Sequence, residues 1–148
     1  MADKQYIIFK LNDEKFAADI NHIASISEYA SITPVPSGPA YVDGILNLRG
    51  DIIPVVNLKK RFKMADSQMK DRRILIARKG DTQIGFLVDD ASQSMTISGE
   101  NILPPPSIAV HKENKYISEV CVYKEELIIV IDLDRVLSDD EVDVLKAL

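Results

Sequence analysis

The chain has 148 residues, 46% of them hydrophobic and 28% charged, with a formal net charge of −5 and a pI near 5.0. That is one domain's length, enough to bury a core, and an acidic balance with lysine and arginine dispersed excludes an electrostatic footprint for nucleic acid or an anionic membrane. One cysteine excludes an intrachain disulfide, and no segment approaches the ~18 apolar residues of a membrane span.

The start, MADKQYIIF, has neither a basic region nor a long apolar stretch, which predicts no signal peptide and a cytoplasmic protein. Strand patterns follow at 6–11, 15–20, 24–28, 44–48, 52–56, 73–78, 83–88, 95–97, 116–123 and 127–131. Asn12-Asp13, Lys79-Gly80-Asp81 and Lys124-Glu125-Glu126 supply turns between them. Short strands at hairpin spacing, without helical crossovers, predict an all-β barrel or sandwich.

Helical signals are few. A turn or two fits 58–62 and another 98–101, while Ser138 followed by Glu141 is a capping box opening a terminal helix over 139–148. Val142, Leu145 and Leu148 share one face of that helix and are expected to pack on the rest. The segments 31–44 and 102–115 carry three prolines each and read as stiff connectors.

The hairpin in NLRGDIIPVVNL, residues 47–58, has Arg49-Gly50-Asp51 at its bend, with Gly50 expected at positive φ. Pro54 cannot donate to a ladder, so its strand is expected at a sheet edge or bulge. Arg49 reads as a solvated turn residue or as a fork of donors aimed at carboxylates or carbonyls. An internal pattern also emerges: hairpins ending at Ile20 and Val88 close on AADI and LVDD, and hairpins ending at Val56 and Ile131 run into NLKKRF and DLDRVL. This predicts a single domain of two related five-stranded halves, about 15–70 and 71–137, with the N-terminal strand and C-terminal helix packed across them.

No catalytic constellation is visible. The two histidines, His22 at a strand–helix junction and His111 in a polar loop, have no nucleophile or acid placed around them by the sequence. With one cysteine, they also give no metal-ligand spacing. Cys121, between Val120 and Val122, reads as a buried structural thiol, and Asp89-Asp90 and Asp139-Asp140 as strand-end and helix-start residues. The expectation is no enzyme, no cofactor and no metal.

The stretches GILNLRGDIIPVVNLKKRF, GFLVDDASQSMTISGENILPPP and ELIIVIDLDRVLS resemble the CheW family of bacterial chemotaxis coupling proteins, along essentially the whole chain. The resemblance implies two five-stranded SH3-like β-barrels packed on a shared hydrophobic core, with short helices and a C-terminal helix. It further implies a non-catalytic adaptor, monomeric in isolation and recruited to receptor arrays at the inner face of the membrane. The implied partners are the regulatory domain of the histidine kinase CheA and the cytoplasmic signalling tip of chemoreceptors. Neither nucleic acid nor direct membrane contact is implied. Residues that match the family's partner surface are Gly44, Arg49 and Ile52, with Ile20 and Ile23 after the second strand. The chain departs from the family with Asn57, where Asp is common, and with Asp51, where an apolar residue is usual. Other employment of the same fold is the alternative: a regulatory module of a kinase or of a receiver-containing adaptor, or a small-ligand-binding barrel. A chain of this length ending in a capped helix is expected to be a complete protein.

Overall fold

A computed structural model describes residues 3–66, 71–105 and 115–148. His111, the third residue of the proline run and the polar loop after it lie outside the described residues.

Strands β1 (Lys4–Leu11) and β2 (Glu14–Asp19) form a hairpin, followed by a 3₁₀ turn (Ile20–His22) and β3 (Ile23–Glu28). After β4 (Val42–Leu48) and β5 (Asp51–Asn57) comes a short helix α1 (Leu58–Arg61), then a hairpin of β6 (Arg73–Lys79) and β7 (Thr82–Val88). The chain continues through β8 (Asp90–Ile97), β9 (Ile102–Leu103), β10 (Ile117–Tyr123), β11 (Glu126–Ile131) and helix α2 (Asp139–Lys146). All ten strands expected from the pattern are present; β9 is additional.

The strands form two sheets, ordered β8-β1-β2-β11-β10-β9 and β3-β6-β7-β5-β4. In each, a hairpin joins its neighbour through one parallel pairing, Phe16 with Ile129 in the first and Gly85 with Val55 in the second. The two sheets are therefore related strand for strand: β1-β2 corresponds to β6-β7, β10-β11 to β4-β5, and β8 to β3. Sheet membership does not follow the order of the chain. The chain through Asn57 lends its first hairpin to one sheet and its later strands to the other, and the chain from Arg73 does the reverse. β1 is an inner strand of the six-stranded sheet, between β8 and β2.

Strand alternation explains how one chain builds three apolar clusters. Tyr6 and Ile8 of β1, Ala17 of β2 and Ile128 and Val130 of β11 point into the six-stranded barrel with Cys121 and Ile97. Leu46, Ile53, Val55, Ile74, Ile76 and Leu87 fill the five-stranded one. The intervening residues, among them Ile7, Phe9, Leu11, Phe16, Leu75, Ile84, Phe86 and Val88, meet between the sheets in the largest cluster, which Val142 and Leu145 of α2 join. The exchanged hairpins carry most of this shared core. Gly85 leaves room inside the five-stranded barrel, since a Cβ there would lie 2.8 Å from Ile74 Cγ2.

Pro54 has a strand neighbour on one side only. β5 is flanked by β4 and β7, so it is not an edge. Its pairing with β7 begins at Val55, which leaves Pro54 just short of the ladder that needs its missing donor. Asp89 is more than a strand-end residue: it is buried at the passage from β7 to β8, 2.9 Å from buried Lys59 of α1, and accepts a hydrogen bond from the backbone of Asn12. This pair links both sheets.

Candidate functional site

The β4-β5 hairpin closes on a two-residue turn, since Leu48 pairs with Asp51. Arg49 and Gly50 both have positive φ, 53° and 90°, the signature of a type I′ turn, whose twist matches the flanking strands. Sequence reasoning assigned positive φ to Gly50 alone, because arginine gives no signal for it. Asn47 Oδ1 accepts from the Gly50 backbone N–H at 3.1 Å and so braces the turn. The exposed Arg49 side chain makes no hydrogen bond or ion pair with any of the described residues. Its five donors are thus free, which separates it from the bracing role left open by the sequence.

Ile52, next along β5, is 59% exposed, whereas its neighbour Ile53 is buried in the barrel. A fixed turn therefore presents a free guanidinium and an uncovered branched side chain together. Gly44, four residues before the turn, is buried at a bulge with φ 148°, and a Cβ there would lie 2.1 Å from Thr33 O. Thr33 and Ile45 exchange both backbone hydrogen bonds at 2.9 Å, so Gly44 admits the connector that covers the outer edge of β4. Its role in this geometry is to place the hairpin.

Ile20 and Ile23 are half-buried against the shared core, at the 3₁₀ turn and the start of β3. β3, which Ile23 opens, and β4 are the two end strands of the five-stranded sheet order. At the base of the hairpin, Asn57 caps α1 by accepting from the Lys60 N–H at 3.2 Å, as an Asp there would. Lys60 Nζ lies 2.7 Å from Asp43 Oδ1 of β4, and that hydrogen bond holds the lysine pKa above its ordinary value against the cost of burial.

Sequence reasoning missed one cluster. His22 stands beside Asp132 and Asp134, more than a hundred positions away in the chain, where no local spacing could signal it.

Among known proteins, the description "CheW-like domain" matches residues 5–141. The chemotaxis protein CheW of Rhizobium meliloti is 31% identical over 93% of this chain and 90% of its own length. That of Treponema pallidum is 30% identical over 97% of this chain and 88% of its own. The crystal structure of the scaffolding protein TtCheW from Thermoanaerobacter tengcongensis superposes with a TM-score of 0.83 at 29% identity, over 95% of this chain and 92% of that one. Two SH3-like barrels on a shared core, aligned over nearly the full length with such relatives, place this chain in the family of CheW-like domains.

Proposed function

We propose that the protein is a non-catalytic chemotaxis adaptor that couples transmembrane chemoreceptors to the histidine kinase CheA from the cytoplasmic side. The observation that carries this reading is the near-complete mutual coverage with chemotaxis CheW proteins, which leaves little of the chain for another activity. Two features of the geometry support it. The hairpin tip exposes the Arg49 guanidinium, which bonds no described side chain, beside the apolar surface of Ile52, a mixture that binding interfaces favour. Ile20 and Ile23, half-buried at the 3₁₀ turn and the start of β3, add apolar surface to which a partner can bind. No helix among the described residues is long and apolar enough to cross a membrane, so attachment to an array runs through protein contacts in this reading.

The test is titration of the full chain with a receptor signalling fragment and, separately, with the kinase regulatory domain. Saturable one-to-one binding to both is expected, together with a ternary complex when all three are mixed. Binding to neither would overturn the adaptor reading.

A further inference from the structure

His22 lies in the same turn as Ile20 and next to Ile23, but its side chain belongs to a separate cluster. His22 ends the 3₁₀ turn between β2 and β3, and Asp132 and Asp134 follow β11. His22 Nδ1 lies 3.8 Å from Asp132 Oδ1, and Nε2 lies 3.8 Å from Asp134 Oδ2. One ligand atom from each of the three residues falls within 4.8 Å of the others. The Nδ1 atom is buried and has no hydrogen-bond partner among the described residues. Separations of 3.8 Å are too long for hydrogen bonds, so the imidazole is held between two carboxylates and bonded to neither.

Both sides of the cluster are firmly placed. Asp19 Oδ1 accepts from the Asn21 N–H at 2.9 Å, and Ile20 and Ile23 anchor the turn in the shared core. Opposite, the Asp132 N–H donates to Tyr116 O at 2.7 Å, while Asp132 Oδ1 accepts from the Asp134 N–H at 3.0 Å. That side chain-to-backbone turn sets two carboxylates two residues apart, with buried Leu133 holding the segment down.

We propose that His22, Asp132 and Asp134 form a binding site for one divalent first-row transition ion of the zinc type, with water completing the shell. One imidazole nitrogen with two carboxylate oxygens suits such an ion, whereas calcium and magnesium gather more oxygens and soft monovalent copper prefers sulfur. Ligand atoms about 2.0–2.2 Å from a tetrahedral ion sit roughly 3.4 Å from one another, so the donors must close in. Asp134, whose side chain is 50% exposed, is free to make that adjustment. Arg135 Nε lies 3.5 Å from Asp132 Oδ2, the oxygen turned away from His22, and stays as an outer neutralising charge. An open cleft of about 370 Å³, lined also by Lys4, Asp19 and Glu119, gives access. A bound ion ties the start of β3 in one sheet to the end of β11 in the other. The unfolded chain lacks this juxtaposition, so binding stabilises the fold.

The test uses the full chain stripped with chelator, titrated with Zn²⁺ by calorimetry and with Co²⁺ by absorbance, alongside thermal unfolding. One ion per chain and a raised Tm in Zn²⁺ are expected. His22→Gln and Asp134→Asn should each weaken Zn²⁺ binding at least about tenfold, whereas His111→Gln, at the only other histidine, should change it by less than about twofold. Unfolding in chelator confirms that each variant folds, and the exposed Asp134 keeps the test intact if His22→Gln does not. Absence of saturable binding by about 100 μM Zn²⁺, or binding that survives both His22→Gln and Asp134→Asn, overturns the proposal.

Discussion

Arg49 sits in a backbone conformation that costs a non-glycine residue something. A non-glycine residue at φ 53° occupies the left-handed region that type I′ turns usually fill with asparagine or glycine. Arg49→Asn should therefore keep or raise stability, by up to about 0.5 kcal/mol. If the free guanidinium meets a partner's carboxylates or carbonyls in a desolvated contact, the same variant loses about 2 kcal/mol of binding, roughly thirtyfold in affinity. Thermal unfolding and titration with both partners on this one variant separate the two effects. Unchanged affinity for both removes Arg49 from the interfaces, and a marked drop in Tm assigns it to the hairpin instead. Cys121 is the opposite kind of residue, 1% exposed in the six-stranded barrel. Burial, joined by the charge of Glu119, raises its thiol pKa despite the hydroxyl of Tyr6. Labelling of the native protein by a thiol reagent should be at least ~100-fold slower than in denaturant; comparable rates would place the thiol at the surface. The alternation Val120-Cys121-Val122 made this burial legible in the sequence. The left-handed Arg49 was not legible, because the turn's hand depends on how the two strands twist.

At the scale of elements, α2 is tied down through Glu141. The capping box is complete: the Glu141 N–H donates to Ser138 Oγ at 3.1 Å, and Glu141 Oε1 accepts from the Ser138 N–H at 2.9 Å. The same carboxylate lies 3.1 Å from Arg61 Nη2 of α1 and accepts from Tyr41 Oη at 3.1 Å. Burial pushes its pKa up, but the Ser138 N–H, the Arg61 charge and the Tyr41 hydroxyl outweigh it and hold the carboxyl below its ordinary 4.5. A carboxyl held low in the folded state contributes stability that is complete above the unfolded value and fades as pH falls through the folded one. Glu141→Gln should therefore cost about 1 kcal/mol near neutrality and flatten the loss of stability on acidification below about pH 4.5. Denaturant midpoints measured from pH 3 to 6 decide this, and parallel curves for the two proteins would deny Glu141 that role. The box itself was readable from Ser138 and Glu141 alone, because capping is local. Its attachment to Tyr41 and Arg61 joins residues 80 and 100 positions apart, beyond any sequence pattern.

For the whole molecule, the exchange of hairpins makes the two repeats interdependent. Fragments covering residues 1–66 and 71–148 each lack the central hairpin of one sheet and the later strands of the other. Each should be unfolded or aggregated alone, and mixing them should restore β-structure with one cooperative transition. A soluble, monomeric and well-folded fragment of either kind would disprove this interdependence. The hairpins and their repetition were legible because each pairs within about a dozen residues. The parallel joins of Phe16 with Ile129 and of Val55 with Gly85 were not, since they depend on which faces fit across the molecule. The same reason hid His22, whose companions come from the far end of the other repeat.

The interleaving also sets an order on synthesis. The five-stranded sheet is complete once the ribosome has released the chain through Val88, whereas β1 and β2, made first, must wait for β11. Translation of residues 89–131 takes several seconds at about 5–20 residues per second. β8 can pair with β1 early in that interval, but the barrel-facing side chains of β1 and β2 lack Ile128 and Val130 until its end. The oldest part of the chain is thus the last to be fully sheltered, and slowing elongation after Val88 should increase aggregation or chaperone capture of nascent chains, whereas the same delay after Ile131 should not.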